Sequence, residues 1–284
     1  MNKTYDIDTL LDEVVTLPSL PGTVAHIMRL VNDPQCALSA VAQAISSDPP
    51  LAMKTLRLVN AAYYGLRQQV GTIEHAVVLL GIKVIKNLAF TATVFDIMKG
   101  SVEGFFIHSA FSGAAMRVLV ESGHPNPQVQ SGEEAFVCGL LHDIGKVILD
   151  EFLPEECVKV ARLCQKEHMP AHVAEKEIIG VDHAEVGARL AQKWKLPDGI
   201  SDGIACHHDL RRSNVRMYQQ VGAMIGIADY LCITAGLAVD ENAVAVVDDE
   251  VWQLTNITSH EIPGLFDKFL ASMPTVRELM TLAV

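Results

Sequence analysis

Apolar residues recur along most of this chain at three- and four-residue spacing, and runs that alternate apolar with polar are scarce. Read between its proline and glycine punctuation, the pattern predicts helices at about residues 21–33, 37–47, 49–64, 72–80 and 82–98. A second series is predicted at about 103–122, 132–151, 154–168, 170–179, 183–194, 198–208 and 216–235, with a helical group beyond 240. Some helix starts carry their own signals. Asp182 with Glu185 forms a D-x-x-E cap before "HAEVGARLAQKW", and Asp48 precedes Pro49 and Pro50 where "LAMKTLRLVNAAYYGL" opens. The segment "GHPNPQVQSG" (Gly123–Gly132) reads as a turn-rich loop, and "VAVV" near Val244 is the main place where a strand competes with a helix. The expected class is all-α.

Composition sharpens this reading. Half of the 284 residues are hydrophobic but only 6% aromatic, which suits helices packed through Leu, Val, Ile and Ala. A formal charge of -12 provides no electrostatic footprint for DNA, RNA or an anionic membrane, so no nucleic-acid partner and no membrane are expected. Six cysteines (Cys36, Cys138, Cys157, Cys164, Cys206, Cys232) contain no C-x-x-C pair and read as free thiols in a reducing compartment. The stretch "MNKTYDIDTL" has no apolar core of a secretory signal, and "VGAMIGIADYLCITAGLAV" carries Asp229 at its centre, as a core helix does more readily than a membrane span. A cytoplasmic location is expected.

The ionisable residues are unevenly placed. His26 and His75 stand alone in the first hundred residues and read as ordinary packed or surface histidines. In "EEAFVCGLLHDIGKVILDEF" every residue from Ala135 to Leu149 is apolar or glycine except His142, Asp143 and Lys146. A helix apolar nearly all round is buried, and buried charges are paired or given to a metal. His108 shares the inward stripe of Phe105, Phe111, Ser112 and Ala115, and His183 begins the stripe of Val186, Gly187 and Leu190. Asp229 sits among Ile225, Gly226, Cys232 and Ile233, and His207 and His208 follow Ile204 at a helix end. A lone histidine on an apolar face is ordinarily a hydrogen-bonded core residue, and a histidine at a helix C-terminus is favoured by the helix dipole. Several helices each presenting a buried imidazole or carboxylate are more simply explained by a shared metal site. His and carboxylate ligands together suit Fe, Mn, Zn or Ni, as one or two divalent ions. Asp143 could bridge two ions roughly 3.5–4 Å apart, and Lys146, one turn after His142, could meet a phosphate oxygen. Adjacent side chains diverge on a helix, so His142 and Asp143 could share an ion only if it lay between their directions. His168 and His172 in "HMPAH" are read as surface residues, because Pro170 between them makes a helix boundary.

"LLHDIGK", with "HSA" upstream and the Asp of "IADYL" downstream, resembles the HD superfamily of metal-dependent phosphohydrolases. The fuller resemblance is to the HD-related output domain, HDOD, of bacterial signalling proteins. It is carried by "LPSLPGTVAHIMRLVNDP", "ISSDPPLAMKTLRLVNAAYYGL", "TIEHAVVLLGIKVIKNLA", "EEAFVCGLLHDIGKVIL" and "VDHAEVGARLAQKWKLPDGI", across roughly residues 15–235. The resemblance implies an N-terminal helical subdomain (1–100) packed on an HD-like helical bundle (101–235), followed by a C-terminal helical extension (236–284). It implies that His108, His142, Asp143 and Asp229 hold a first metal. Comparison with the related HD-GYP phosphodiesterases adds His183, His207 and His208 around a second ion, and matches Lys146 to the lysine of their HD-x-G-K motif. Asp143 and Lys146 would then be the catalytic pair. After His208, "DLRRSNVRMY" stands where that group has Gly-Tyr-Pro, which speaks against cyclic di-guanylate hydrolysis. The implied role is a signal-transduction output module acting on a protein partner, with a His/Asp metal site. The alternative is an active phosphohydrolase acting on a nucleotide or another phosphoester.

Overall fold

The computed structural model describes residues 21–31, 36–98, 103–238 and 247–283. Among the described residues the chain is helical without a strand, its one β-type pairing being an isolated bridge between Asn126 and Val129. The first motif's residues 17–20 and 32–34, and Val244–Val246 of the ambiguous stretch, lie outside the described residues, as does "MNKTYDIDTL".

Contacts divide the chain into two compact units, and each is described separately. One contains Pro18–Phe106 together with Ala271–Val284. Its helices are α1 (Gly22–Val31), α2 (Leu38–Ser46), α3 (Pro49–Val59), α4 (Ile73–Leu80) and α5 (Ile82–Met98). The sequence pattern runs α3 on to residue 64, but the helix stops at Asn60. The Asn60 side chain donates to the Leu56 and Val70 carbonyls and accepts from the Val70 N–H, pinning the following loop across the helix end. Asp48 caps α3 as expected, accepting from the Leu51 N–H at 3.2 Å with Pro49 in the first turn. Ile27, Val41, Ile45, Leu58, Ile85, Phe90 and Phe95 form the core, with Phe95 edge-on to Phe106 at 5.1 Å. His26 and His75 belong to this unit and are exposed.

The other unit contains Ile107–Leu270. Its elements are α6 (Glu103–Glu121), α7 (Gly132–Leu141), α8 (Ile144–Phe152), α9 (Pro154–Glu167), α10 (Ala171–Ile178), α11 (His183–Lys193), α12 (Asp198–Cys206), α13 (Arg216–Thr234), α14 (Asp249–Thr255) and α15 (Ile262–Ala283). The unit boundaries fall inside α6 and α15. The single helix expected over 132–151 is two helices, because Asp143 leaves helical geometry (φ -103°, ψ 8°) and α8 begins after it. All six cysteines are free, and Cys138, Cys164, Cys206 and Cys232 are buried.

Two local features set where the helices of this unit meet. At Gly145 a Cβ would stand 2.0 Å from the His183 carbonyl oxygen, so only glycine lets the first turn of α8 lie against the start of α11. At the head of α11, Asp182 and Glu185 form the expected capping box, and the buried Asp182 carboxylate also takes a two-pronged contact from Arg212. The Arg212 Nη1 and Nη2 lie 3.0 and 2.5 Å from its two oxygens. Arg212 sits in the short 3-10 turn Leu210–Arg212 just after His207 and His208, so this pair ties the histidine loop to the start of α11.

Gly145→Ala should lower stability by about 1–3 kcal/mol, because the obstacle is backbone and cannot rotate away. Urea unfolding of Gly145→Ala against Gly71→Ala, whose added methyl meets nothing within 4 Å, gives the comparison. An equal midpoint for the two variants would remove the close approach as a constraint. Arg212→Ala should cost roughly 3 kcal/mol by leaving a buried carboxylate without its cation. Arg212→Lys should recover only part of this, since one ammonium cannot make both contacts.

Candidate metal centre

Asp143 is 2% exposed and lies where α6, α7, α8, α11, α12 and α13 of the Ile107–Leu270 unit bring their side chains together. The break between α7 and α8 turns it toward the same point as its neighbour, so that His142 Nε2 lies 3.5 Å from Asp143 Oδ2. On a continuous helix the two side chains would point about 100° apart. His108 Nε2, from α6, is 3.8 Å from the same oxygen. The other oxygen, Oδ1, faces His183 Nε2 at 3.0 Å and His207 Nε2 at 3.7 Å. Each carboxylate oxygen thus addresses a different group of donors. His108, His142 and Asp229 offer ligand atoms mutually within 4.8 Å, and so do Asp143, His183, His207 and His208. The structure therefore brings together all seven residues that the sequence and its resemblance nominate as ligands.

The rings are oriented by what their outer nitrogens touch. His142 and His207 each cap the C-terminus of a helix, α7 and α12, and each donates its Nδ1–H to the carbonyl three residues back. The acceptors are Gly139 at 2.7 Å and Ile204 at 2.6 Å. These are carbonyls that a helix end leaves without an intrahelical partner. His108 Nδ1 donates to the Leu237 carbonyl at 3.0 Å, just past the end of α13, and His183 Nδ1 to Glu175 Oε2 at 2.6 Å. An Nδ1 that faces only an acceptor must carry the proton, so in the neutral ring Nε2 presents a lone pair. Four Nε2 atoms point inward, three of them presenting lone pairs; that of His183, whose ring Glu175 and Asp143 hold charged, gives up its proton to take an ion. His108 and His142 bring theirs within 3.3 Å of each other, and His207 Nε2 is buried without a hydrogen-bond partner. Lone pairs facing one another around one shared carboxylate form a donor set for a cation, and imidazole with carboxylate suits a divalent transition ion.

The electrostatics follow from burial and neighbours. Burial pushes His142 down to about 3, outweighing the upward pull of Asp143 and reinforced by His108 and His207. His208 is likewise held well below the usual imidazole range by burial and by the rings of His207, His183 and His172. His183 behaves in the opposite way. Burial disfavours its charge, yet Glu175 and Asp143 raise it to about 9. Burial would raise Asp143, but His142, Lys146 and His183 together hold it well below the carboxylate range. Lys146 Nζ lies 2.5 Å from Asp143 Oδ2, and its side chain is 28% exposed. The lysine expected to meet a phosphate is thus paired with the central carboxylate while keeping part of its surface in solvent.

Sequence reasoning missed two neighbours of the site. Glu175 is buried and accepts both the His183 backbone N–H (2.8 Å) and its ring N–H. Its signal was present, since Ala171, Ala174, Glu175 and Ile178 share the inward spacing of α10 with one charge among them. His172, read as a surface residue, instead stacks on His208 with ring centroids 4.2 Å apart and planes 14° from parallel. Pro170 does mark a helix start, but the helix it starts leads toward the site. His168 is exposed and ends α9 in left-handed geometry.

Comparisons with known proteins agree with this architecture. The HDOD domain family model matches residues 17–210. An uncharacterised protein from Treponema pallidum (strain Nichols) is 27% identical over 214 residues, which is 71% of this chain but only 39% of that protein's length. Among solved structures, a candidate phosphohydrolase from Shewanella amazonensis SB2B is 26% identical with a TM-score of 0.75, covering 97% of this chain and 98% of the other. An HDOD domain protein of unknown function from Geobacter sulfurreducens shares the fold, with 24% identity and a TM-score of 0.77 over 98% of this chain and 99% of the other. With its family model spanning most of the chain and its all-helical architecture matched end to end, the chain belongs to the HDOD family.

Proposed function

We propose that this chain is a signal-transduction output module whose Ile107–Leu270 unit is built around one or two divalent transition ions. The observation that carries the metal is the convergence of four Nδ1-anchored imidazoles on the two oxygens of Asp143. His108, His142 and Asp229 would hold one ion and His183, His207 and His208 the other, with Asp143 between them. The signalling role rests on family membership, and burial of the ligands supports an ion that organises helices. His183 is 0%, His142 1% and His108 4% exposed, so the centre is part of the core. A protein partner would then read the arrangement of the helices rather than chemistry at the ions.

One observation favours phosphoester hydrolysis as a second reading. Asp229 and Lys146 reach the centre from its solvent side, with side chains 25% and 28% exposed. Bound ions there would supply Lewis acidity toward a phosphoryl oxygen. Lys146 would neutralise charge on the same oxygen, and Asp143 would fix the geometry. The absence of Gly-Tyr-Pro after His208 argues for a phosphoester other than cyclic di-guanylate.

Metal content per chain, measured on protein purified without chelator or nickel affinity, tests the first reading. Wild type should carry near-stoichiometric Fe, Mn, Zn or Ni, and His142→Ala and Asp143→Ala should each lose most of it. A folded wild type without metal would sink both readings of the centre. Hydrolysis of a generic aryl phosphodiester that disappears in Lys146→Ala while metal content holds would favour the enzyme. Metal-loaded protein inert toward mono- and diesters leaves the output module.

A further inference from the structure

The two donor groups around Asp143 are not built alike. The group of His183, His207 and His208 has an outer layer of side chains supplied by α10 and the turn after His208. Glu175 holds His183 at two points, the ring N–H at 2.6 Å and the backbone N–H at 2.8 Å, both through Oε2. His172, three residues before Glu175 and on the same face of α10, lies flat against His208. Asp182 and Arg212 tie the backbone carrying His208 to the start of α11, where His183 is the first residue. The group of His108, His142 and Asp229 is anchored differently. Its two rings rest on neutral backbone carbonyls, Leu237 and Gly139, and Asp229 approaches from a position 25% exposed.

These differences have energetic consequences. A carboxylate on the outer nitrogen of a ligand imidazole fixes the tautomer and also makes the inner nitrogen a stronger base. Such outer partners are worth 10–100-fold in metal affinity. A backbone carbonyl fixes the tautomer without adding charge. A ligand ring clamped by stacking loses less freedom when it binds, whereas a part-exposed aspartate must give up water and ordering entropy to join an ion. All of these favour the same group, and Asp143, shared between the two, does not offset them.

Building on the metal reading above, we propose that the two clusters fill in order, and that Glu175 is the positioning residue that makes the His183–His207–His208 cluster the first to take an ion. The His108–His142–Asp229 cluster is the second and more exchangeable site. Glu175 touches neither ion nor substrate, and it acts only through His183.

Chelator-stripped full-length protein titrated with Zn²⁺ in competition with a chromophoric chelator tests this. Wild type should show two phases of unequal affinity. Glu175→Ala should weaken the tighter phase 10–100-fold, and Glu175→Gln, which keeps an acceptor oxygen without the charge, should weaken it less. Asp229→Asn should remove the weaker phase and leave the tighter one in place. An unchanged tighter phase in folded Glu175→Ala overturns the proposal. Should the alanine variant fail to fold, Glu175→Gln decides the matter, and an unaltered tighter phase there overturns it equally. Loss of the tighter phase in Asp229→Asn would reverse the order. Wild type that takes up no Zn²⁺ would fail the metal reading itself, whereas two phases indifferent to residue 175 would fail this inference alone.

Discussion

The Ile107–Leu270 unit depends on one buried carboxylate. Burying an ion such as Asp143 costs several kcal/mol unless opposite charge and hydrogen-bond donors replace the water it loses. The chain meets this demand with residues that lie next to one another in sequence and do different jobs. His142 closes α7, Asp143 breaks the helix, Gly145 admits the His183 carbonyl, and Lys146 turns back to neutralise Asp143 Oδ2. Removing any one of these changes what the others can do. The glycine governs how near α11 can come, and so how far His183 stands from Asp143 Oδ1.

The same solution appears at two helix ends. A helix C-terminus leaves carbonyls without intrahelical donors, and a histidine placed at the cap can donate to one of them from Nδ1. His142 on Gly139 and His207 on Ile204 both do this. Satisfying the backbone and aiming the lone pair are then a single event. No distant residue is needed to select the tautomer. His183 stands at a helix N-terminus, where carbonyls are already committed and no such acceptor is at hand. A carboxylate from another helix, Glu175, serves instead. For His142, His207 and His183, the outer partner thus follows from which end of a helix each occupies.

This explains how much could be read from the sequence. Helix positions were legible wherever an apolar stripe began at a capping residue, as in α3 behind Asp48 and α11 behind Asp182. The convergence of the seven residues was legible because each is a polar residue on an apolar stripe or at a helix end, and the family resemblance grouped them. The break at Asp143 was not legible, since the residues on both sides are apolar and helix-compatible and only the tertiary demand on the carboxylate interrupts them. Arg212 was hidden for a related reason: its partner Asp182 lies thirty positions upstream and nothing local to "DLRRS" calls for it. His172 was judged from Pro170 alone, and Glu175, at the same inward spacing of α10, was passed over.

A centre built this way makes occupancy and packing the same equilibrium. Leu140, Leu141, Ile144, Ile148, Ile204 and Ile225 are buried on the helices that carry the donors. The donors cannot converge on an ion unless those residues pack. Whatever binds the native arrangement and not the unfolded chain stabilises it by mass action, by about 4 kcal/mol when the free ion stands a thousandfold above its dissociation constant. Such an ion would be felt across every helix that meets at Asp143. A module that reports through protein contacts needs this property, because a partner surface on one helix can respond to occupancy only if the helix packing responds. A hydrolase needs less of it. The depth of His183 and His142 within the core is therefore the physical reason for placing the output role ahead of catalysis.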